Sequence, residues 1–336
     1  MNKNTLLIAL ALASGLLAAG CNKAGKLSQP STEKAPPTGP VTLALKWPEG
    51  ETIVKRLDLK MESEINVPNQ PAPIKQSSTL GQKYGVTVAK AQPDGGHEVD
   101  MEFLGMKMKV EQAGQTVVDY DSEGKAADPS KDKASAMFGE IFSKIIGTKL
   151  QYFLNATNGV DRVEGMDALR SKLAGGQPGV SDNLKSMFND AYLREMVGDS
   201  RALPPQPVQP GDSWPFQMEM SLGEMGILSI SNSYTFVQWE KHGPRLCARL
   251  DFDGVMKGKP ASNANPKTMS LNIQDGSNSG TTWFDPELGT FIDSTATQDL
   301  SIVMEVPIRG KDGKMVRQSM SMKMHQILGI KLDSLK

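Results

Sequence analysis

The chain predicts an α+β fold that is mostly antiparallel β: two related, curved meander sheets resembling half-barrels, with helical cover and a helical connector. Three observations carry this. Apolar and polar residues alternate with period two over long stretches, turn signals separate those stretches, and apolar residues at helical spacing occur in three places.

The alternation is plain in four places. Ile53, Leu57, Leu59 and Met61 fall opposite Arg56, Asp58, Lys60 and Glu62, and Met106, Met108 and Val110 fall opposite Lys107, Lys109 and Glu111. Leu300, Ile302, Met304 and Val306 repeat the theme, and Met320, Met322 and Met324 lie opposite Arg317, Ser319, Ser321, Lys323 and His325. Strands that bury one face and wet the other belong to antiparallel sheets, because parallel strands are covered on both faces. Between them stand Pro48-Glu49-Gly50, Pro93-Asp94-Gly95-Gly96, His242-Gly243-Pro244, Asp285-Pro286-Glu287-Leu288-Gly289 and Gly310-Lys311-Asp312-Gly313, which read as hairpin turns.

Helical spacing appears first in Met137, Phe138, Ile141, Phe142, Ile145 and Ile146, a stripe stopped by Gly147. A short helix is expected from Asp167 to Ala174, and a third with Ser181 as its N-cap and Leu184, Met187, Phe188, Ala191 and Met196 inward. Pro204, Pro205, Pro207 and Pro210 then make a stiff, extended connector.

Two stretches match each other. Gly50-Glu51, Tyr84-Gly85-Val86 and Phe103-Leu104-Gly105 can be laid over Gly211-Asp212, Tyr234-Thr235-Phe236 and Phe252-Asp253-Gly254, once the proline-rich loop from Asn66 to Gln76 is set aside. The expected organisation is therefore a signal peptide over residues 1–20, a tether over 21–40, a first β-rich half over 41–165, a connector over 166–210 and a second β-rich half over 211–336.

Lys3, the apolar run from Leu6 to Leu17 and the small residues Ala18-Ala19-Gly20 have the form of a signal peptide, too short to span a bilayer. Ala18-Ala19-Gly20-Cys21 resembles the lipobox of bacterial lipoproteins, with Ala18 where leucine is commonest. The resemblance implies that Cys21 is lipidated, and several acyl chains together give an anchor that does not let go. It places the protein in the cell envelope, facing the periplasm, and Asn22 after the cysteine points to the outer membrane. From Asn22 to Pro40 one large apolar residue, Leu27, stands among Pro, Ser, Thr, Lys and Gly. Such a segment buries too little to order itself, and its root-mean-square reach is about 25 Å.

Lys3 is the one charged side chain in residues 1–20, so the mature chain carries 36 basic and 38 acidic residues. That balance excludes nucleic acid as a partner and leaves no polybasic patch for anionic lipid, so the lipid on Cys21 is the expected membrane link. With Cys21 lipidated, Cys247 has no disulfide partner and is expected to be covered by the connector. His97, His242 and His325 lie far apart in sequence and read as solvated.

No phosphate loop, nucleophile elbow or metalloprotease motif is present, and no catalytic residue, cofactor or metal site is assigned. Asp285 and Glu287 could form an acid/base pair, but Asp-Pro-x-x-Gly is what a tight hairpin asks for. The nineteen methionines are the most unusual feature, as many as Phe, Trp and Tyr together. They read as core filler, as an adaptable apolar binding surface, or as soft ligands for Cu(I). As a surface, Met106, Met108, Met320, Met322 and Met324 are the candidate ligand-binding residues.

Trp47-Pro48-Glu49-Gly50, Pro210-Gly211-Asp212-Ser213-Trp214-Pro215 and Thr281-Thr282-Trp283-Phe284-Asp285-Pro286-Glu287-Leu288-Gly289 look like landmarks of a family of bacterial envelope lipoproteins with a domain of unknown function. The resemblance spans roughly residues 41–330 and transfers no functional residue. At fold level the expected architecture is similar to the open half-barrels of lipoprotein-localisation carriers, an analogy that does not assign function. The expectation is a lipid-anchored envelope protein, not an enzyme, that binds an apolar ligand or an envelope protein through its methionine-rich faces. The alternative is a structural or assembly scaffold of the envelope without a ligand, and the third is an enzyme of uncharacterised activity or a Cu(I)-binding protein.

Overall fold

The computed structural model describes residues 35–68, 70–124, 132–174, 197, 202–221, 226–259, 270–309 and 315–336. The signal peptide, Cys21, most of the tether and the helix expected after Ser181 lie outside the described residues.

The strands are β1 (Thr52–Asn66), β2 (Ile74–Ala91), β3 (His97–Gln112), β4 (Gln115–Asp121), β5 (Lys149–Leu154) and β6 (Val160–Glu164), followed by β7 (Ser213–Ser221), β8 (Ile227–His242), β9 (Arg245–Lys259), β10 (Ser270–Asp285), β11 (Thr290–Arg309) and β12 (Met315–Leu335). Helices α1 (Lys133–Ile145) and α2 (Met166–Ala174) flank the β5–β6 hairpin. All twelve strands form one open, curved antiparallel sheet in the order β6-β5-β3-β2-β1-β12-β11-β10-β9-β8-β7, with β4 beside β3.

The expectation of two sheets is thus corrected to one. β1 pairs with β12 from Ile53 opposite Leu335 to Asn66 opposite Ser321, joining strands β1–β6 to strands β7–β12. Each half alone would leave a row of unpaired backbone groups on that edge, and the pairing satisfies both rows. The helical cover is also less than expected. Among the described residues, α1 and α2 lie over the first half, where Phe138, Ile141, Phe142, Ile145 and Leu169 pack with Val99, Met101, Phe103, Leu150 and Tyr152.

Helix α1 forms where the stripe predicts. Asp132 caps it by accepting from the Ser135 amide at 2.9 Å, and Gly147, at φ +75°, turns the chain away just beyond its end. Met137 and Ile146, the margins of the stripe, are partly buried.

The two β-rich stretches open alike. The Gly50 amide donates to the Val88 carbonyl at 3.0 Å and the Val88 amide to Glu51, while Gly211 donates to Phe236 at 2.7 Å and Phe236 to Asp212. Both glycines hold positive φ, +76° and +99°. Tyr84 then pairs with Phe103 and Tyr234 with Phe252. The register differs, however: Tyr84 faces Lys55, whereas Tyr234 faces Trp214, two positions nearer its opening glycine. A slip of two residues keeps every side chain on its own face, so the alternation does not reveal it.

The sheet has two ends. The base carries the start of β1, the end of β12 and the β10–β11 turn, and the segment before β1 is held there by a bridge between Val41 and Val208. The far end carries the end of β1, the end of β11 and the start of β12.

Candidate functional site

Residues that pair across neighbouring strands form rows, and their side chains meet on one face. On the inner face of the second half one such row is polar. Gln326 pairs with Gln298, Gln298 with Asn278, Asn278 with Gly254, and Gly254 with Asn232. The Gln326 amide donates to Gln298, Gln298 donates to Asn278 at 3.1 Å, and Asn278 donates to Asn232 at 3.1 Å. All four amides are buried, and Gln326, only 1% exposed, keeps its Oε1 without a partner. A buried polar atom left unpaired costs about 1–3 kcal/mol, so this position asks for a reason.

The row divides two apolar clusters. Toward the base lie Tyr234, Phe236, Leu250, Phe252, Phe284, Phe291 and Ala296. Toward the far end lie Met61, Met218, Met256, Met304, Met320, Met322 and Met324 with Ile230, Leu271, Ile302 and Val306. The candidate residues Met320, Met322 and Met324 therefore share one buried cluster, whereas Met106 and Met108 belong to the cluster beneath α1. The structure does not bring all five together.

At the far end the β11–β12 pair runs past the described ends of its neighbours. The β10–β11 pairing reaches Ser270 opposite Glu305, and the β1–β12 pairing reaches Asn66 opposite Ser321. Ile308 and Val316 pair beyond both limits, in phase with the methionine stripe, and are 37% and 46% exposed.

The opposite face is polar. A cavity of about 680 Å³ lies there, lined among others by Glu62, Glu64, Lys75, Asp275, Asp299 and His325. Lys75 pairs with Glu64 at 2.8 Å and His325 with Asp299 at 2.7 Å. The Lys75 ammonium bonded to Glu64 holds that exposed carboxyl below the usual range.

At the base, Asp285 and Glu287 form the turn rather than an acid/base pair. The Asp285 carboxylate accepts from the amides of Glu287 and Leu288 at 2.8 and 3.1 Å and holds Arg245 at 2.7 Å, and Gly289 takes φ +64°. Cys247 is buried, packed among the described residues with Trp283, Leu288, Ile53, Ile292, Leu332 and Leu335, while most of the connector expected to cover it lies outside the described residues. Burial, aided by nearby Asp285, pushes its thiol up to about 12.

The histidines are less uniform than expected. His325 is exposed, but His242 stacks on Trp283 with ring centres 4.3 Å apart and bonds the buried Asp293 at 2.9 Å, which also faces Lys331 at 3.5 Å. The Trp283 N–H bonded to Glu240 holds that carboxyl below its ordinary range. His97 lies near Trp47, with its Nδ1 buried and unbonded. Among the described residues, no three of His, Cys, Asp and Glu come together to hold a metal ion.

Sequence reasoning missed the amide row, though a signal was there. Gln298 is in phase with Leu300 and Ile302, and Gln326 with Met324 and Leu328, so each puts a polar group at a core position.

These features define a class: a protein built on one open, curved antiparallel sheet whose inner face is apolar and crossed by a buried polar row. The chain belongs to DUF6263, a family of unknown function, whose model matches residues 94–290. No curated protein matches the sequence. Among solved structures, one of lipovitellin is similar over 85% of this chain at 10% identity and a TM-score of 0.40, and the chain spans 26% of that structure's length. An exported protein with a YmcC-like fold from Bacteroides fragilis is similar over 88% of this chain and 100% of its own, at 12% identity and a TM-score of 0.26. A lipoprotein from Parabacteroides distasonis is similar over 88% and 99%, at 11% identity and 0.26. Likenesses at these scores say nothing about function.

Proposed function

We propose that this protein is a non-enzymatic, lipid-anchored protein of the bacterial cell envelope that binds an apolar ligand on the methionine-lined inner face of its sheet. The observation that carries the reading is the continuity of that face. The stripe of Met320, Met322 and Met324 is in phase with Ile308 and Val316, which are exposed near the end of the β11–β12 pair and which we take as an apolar mouth. Unbranched thioethers suit such a surface because they repack around different shapes at little cost. Met106 and Met108, beneath α1, belong to a second apolar face that serves the same end or fills the core.

The address comes from the sequence: the signal peptide, Cys21 in its lipobox-like setting and the tether over residues 21–40 support an envelope location, with Asn22 favouring the outer membrane. The bridge at Val41 fixes the point where the tether meets the sheet, at the base. We also take the chain to be organised as two β-rich halves, 41–165 and 211–336, around the connector at 166–210.

The test uses the Cys21→Ala protein, which the reading expects to be released from the membrane. Native mass spectrometry and uptake of a hydrophobic fluorescent naphthylamine are the readouts. A co-purifying lipid or saturable uptake supports the proposal. A clean protein mass with no uptake rejects it in favour of the scaffold.

A second reading, an envelope protein as partner, is favoured by the open, charged cavity on the opposite face. Reversing Asp275 and Glu62 to lysine and looking for loss of a cross-linked envelope partner tests it.

A further inference from the structure

We infer that the buried amide row is the polar end of the ligand site, with Gln326 bonding the hydroxyl or amide head of a long-chain amphiphile whose chain lies along the methionines. This rests on the proposed apolar-ligand reading and specifies its ligand class.

The row is placed for the role. Gln326 follows Met324 by two residues on the same face of β12, so its amide stands about 6–7 Å beyond the last thioether of the stripe. From Val316 to Met324 the stripe extends about 27 Å, comparable in length to an extended long chain. Nothing polar interrupts the β12 side of that face except Gln318, which is partly exposed near the mouth.

The chemistry of the row selects the head group. Gln326, Gln298 and Asn278 each donate an amide N–H toward β8, and the unpaired atom at the β12 end is an acceptor, Gln326 Oε1. Turning all four amides over reverses the chain and leaves an unpaired donor at the same place. In both senses the group that completes the row sits against Gln326. A hydroxyl or a primary amide serves either sense, because each can donate and accept. A hydrocarbon end serves neither, and a carboxylate would be buried without a cation.

Oleyl alcohol and 1-octadecene, eighteen-carbon monounsaturated chains with and without a hydroxyl head, are each titrated to displace the fluorescent naphthylamine from the full chain, wild type and Gln326→Met. The ratio of the two affinities cancels chain hydrophobicity. It is expected to fall about five- to tenfold in the variant, the worth of one hydrogen bond. In the wild type, the Gln326 side-chain amide resonances are expected to move with oleyl alcohol and stay put with 1-octadecene, a readout independent of whether the variant folds. An unchanged ratio, or amide signals that ignore the alcohol, overturns this inference and leaves the apolar-ligand reading standing. Failure of both compounds to displace the probe, or of the probe to bind, removes that reading and the inference with it.

Discussion

Gly254 faces Asn278 across the β9–β10 pair, and the side chain that Gly254 lacks is what lets the Asn278 amide reach Asn232 on β8. A methyl group built on Gly254 would stand 2.1 Å from the Ser231 carbonyl oxygen and 2.3 Å from Asn232 Oδ1. Neither position is tolerable, and the first obstacle is backbone that cannot swing away. Gly254→Ala is therefore expected to destabilise the protein by roughly 3 kcal/mol, at the upper end of overpacking effects. Urea unfolding measures it, and a loss under about 1 kcal/mol would show that β8 and β9 yield more easily than their packing implies.

Ile308 and Val316 offer a cleaner test of the mouth, because both are substantially exposed and bear little of the core. Changing both to serine is expected to leave stability within about 0.5 kcal/mol per site while weakening naphthylamine uptake several-fold. Unaltered uptake would locate the entrance elsewhere.

Asp285 has two attachments, the turn amides and Arg245, in a site almost closed to water. Asp285→Ala strands the guanidinium and uncaps the turn together. A loss of about 3–5 kcal/mol is expected, the usual consequence of removing one partner of a buried pair. Additional replacement of Arg245 by methionine should recover part of it, and thermal melts of both variants give the comparison.

Cys247 is expected to resist iodoacetamide at pH 8 in the native protein and to react fully in denaturant, since its thiol is buried and raised to about 12. The same shift has a pH consequence. The unfolded thiol releases its proton near 9 while the folded one holds it to about 12, so the stability contributed is fully present below pH 9 and is lost as pH climbs from 9 to 12. Replacing Cys247 by alanine should flatten that part of the stability profile.

Cys21→Ala is expected to abolish labelling by radioactive palmitate and move the protein from the membrane to the soluble fraction. Continued labelling would contradict the lipobox.

The strands and α1 were legible because burial of one face imposes a period, and the period is written in residues such as Met320, Met322 and Met324 or Phe138, Ile141 and Phe142. Which strand lies beside which is not written there. Nothing in the alternation of β1 distinguishes β12 as a neighbour, so two sheets were expected where one exists. The site was legible in part. The methionine stripe is written in the alternation, but the division of the five methionines between two clusters depends on register, and so does the alignment of Gln298 and Gln326 with the asparagines of β8 and β10.

Synthesis from the amino end delivers β1 early and β12 last, yet these two strands are partners at the centre of the sheet. Until the carboxyl-terminal residues arrive, one edge of the fifteen-residue β1 presents the free amides and carbonyls of its alternate residues to whatever surrounds the nascent chain. Closure of the sheet is then a late, long-range event, the kind that slows folding and invites pairing with the wrong strand. The ion-bearing side chains along β1, Arg56, Asp58, Lys60, Glu62 and Glu64, are well suited to keep that waiting edge from joining another chain.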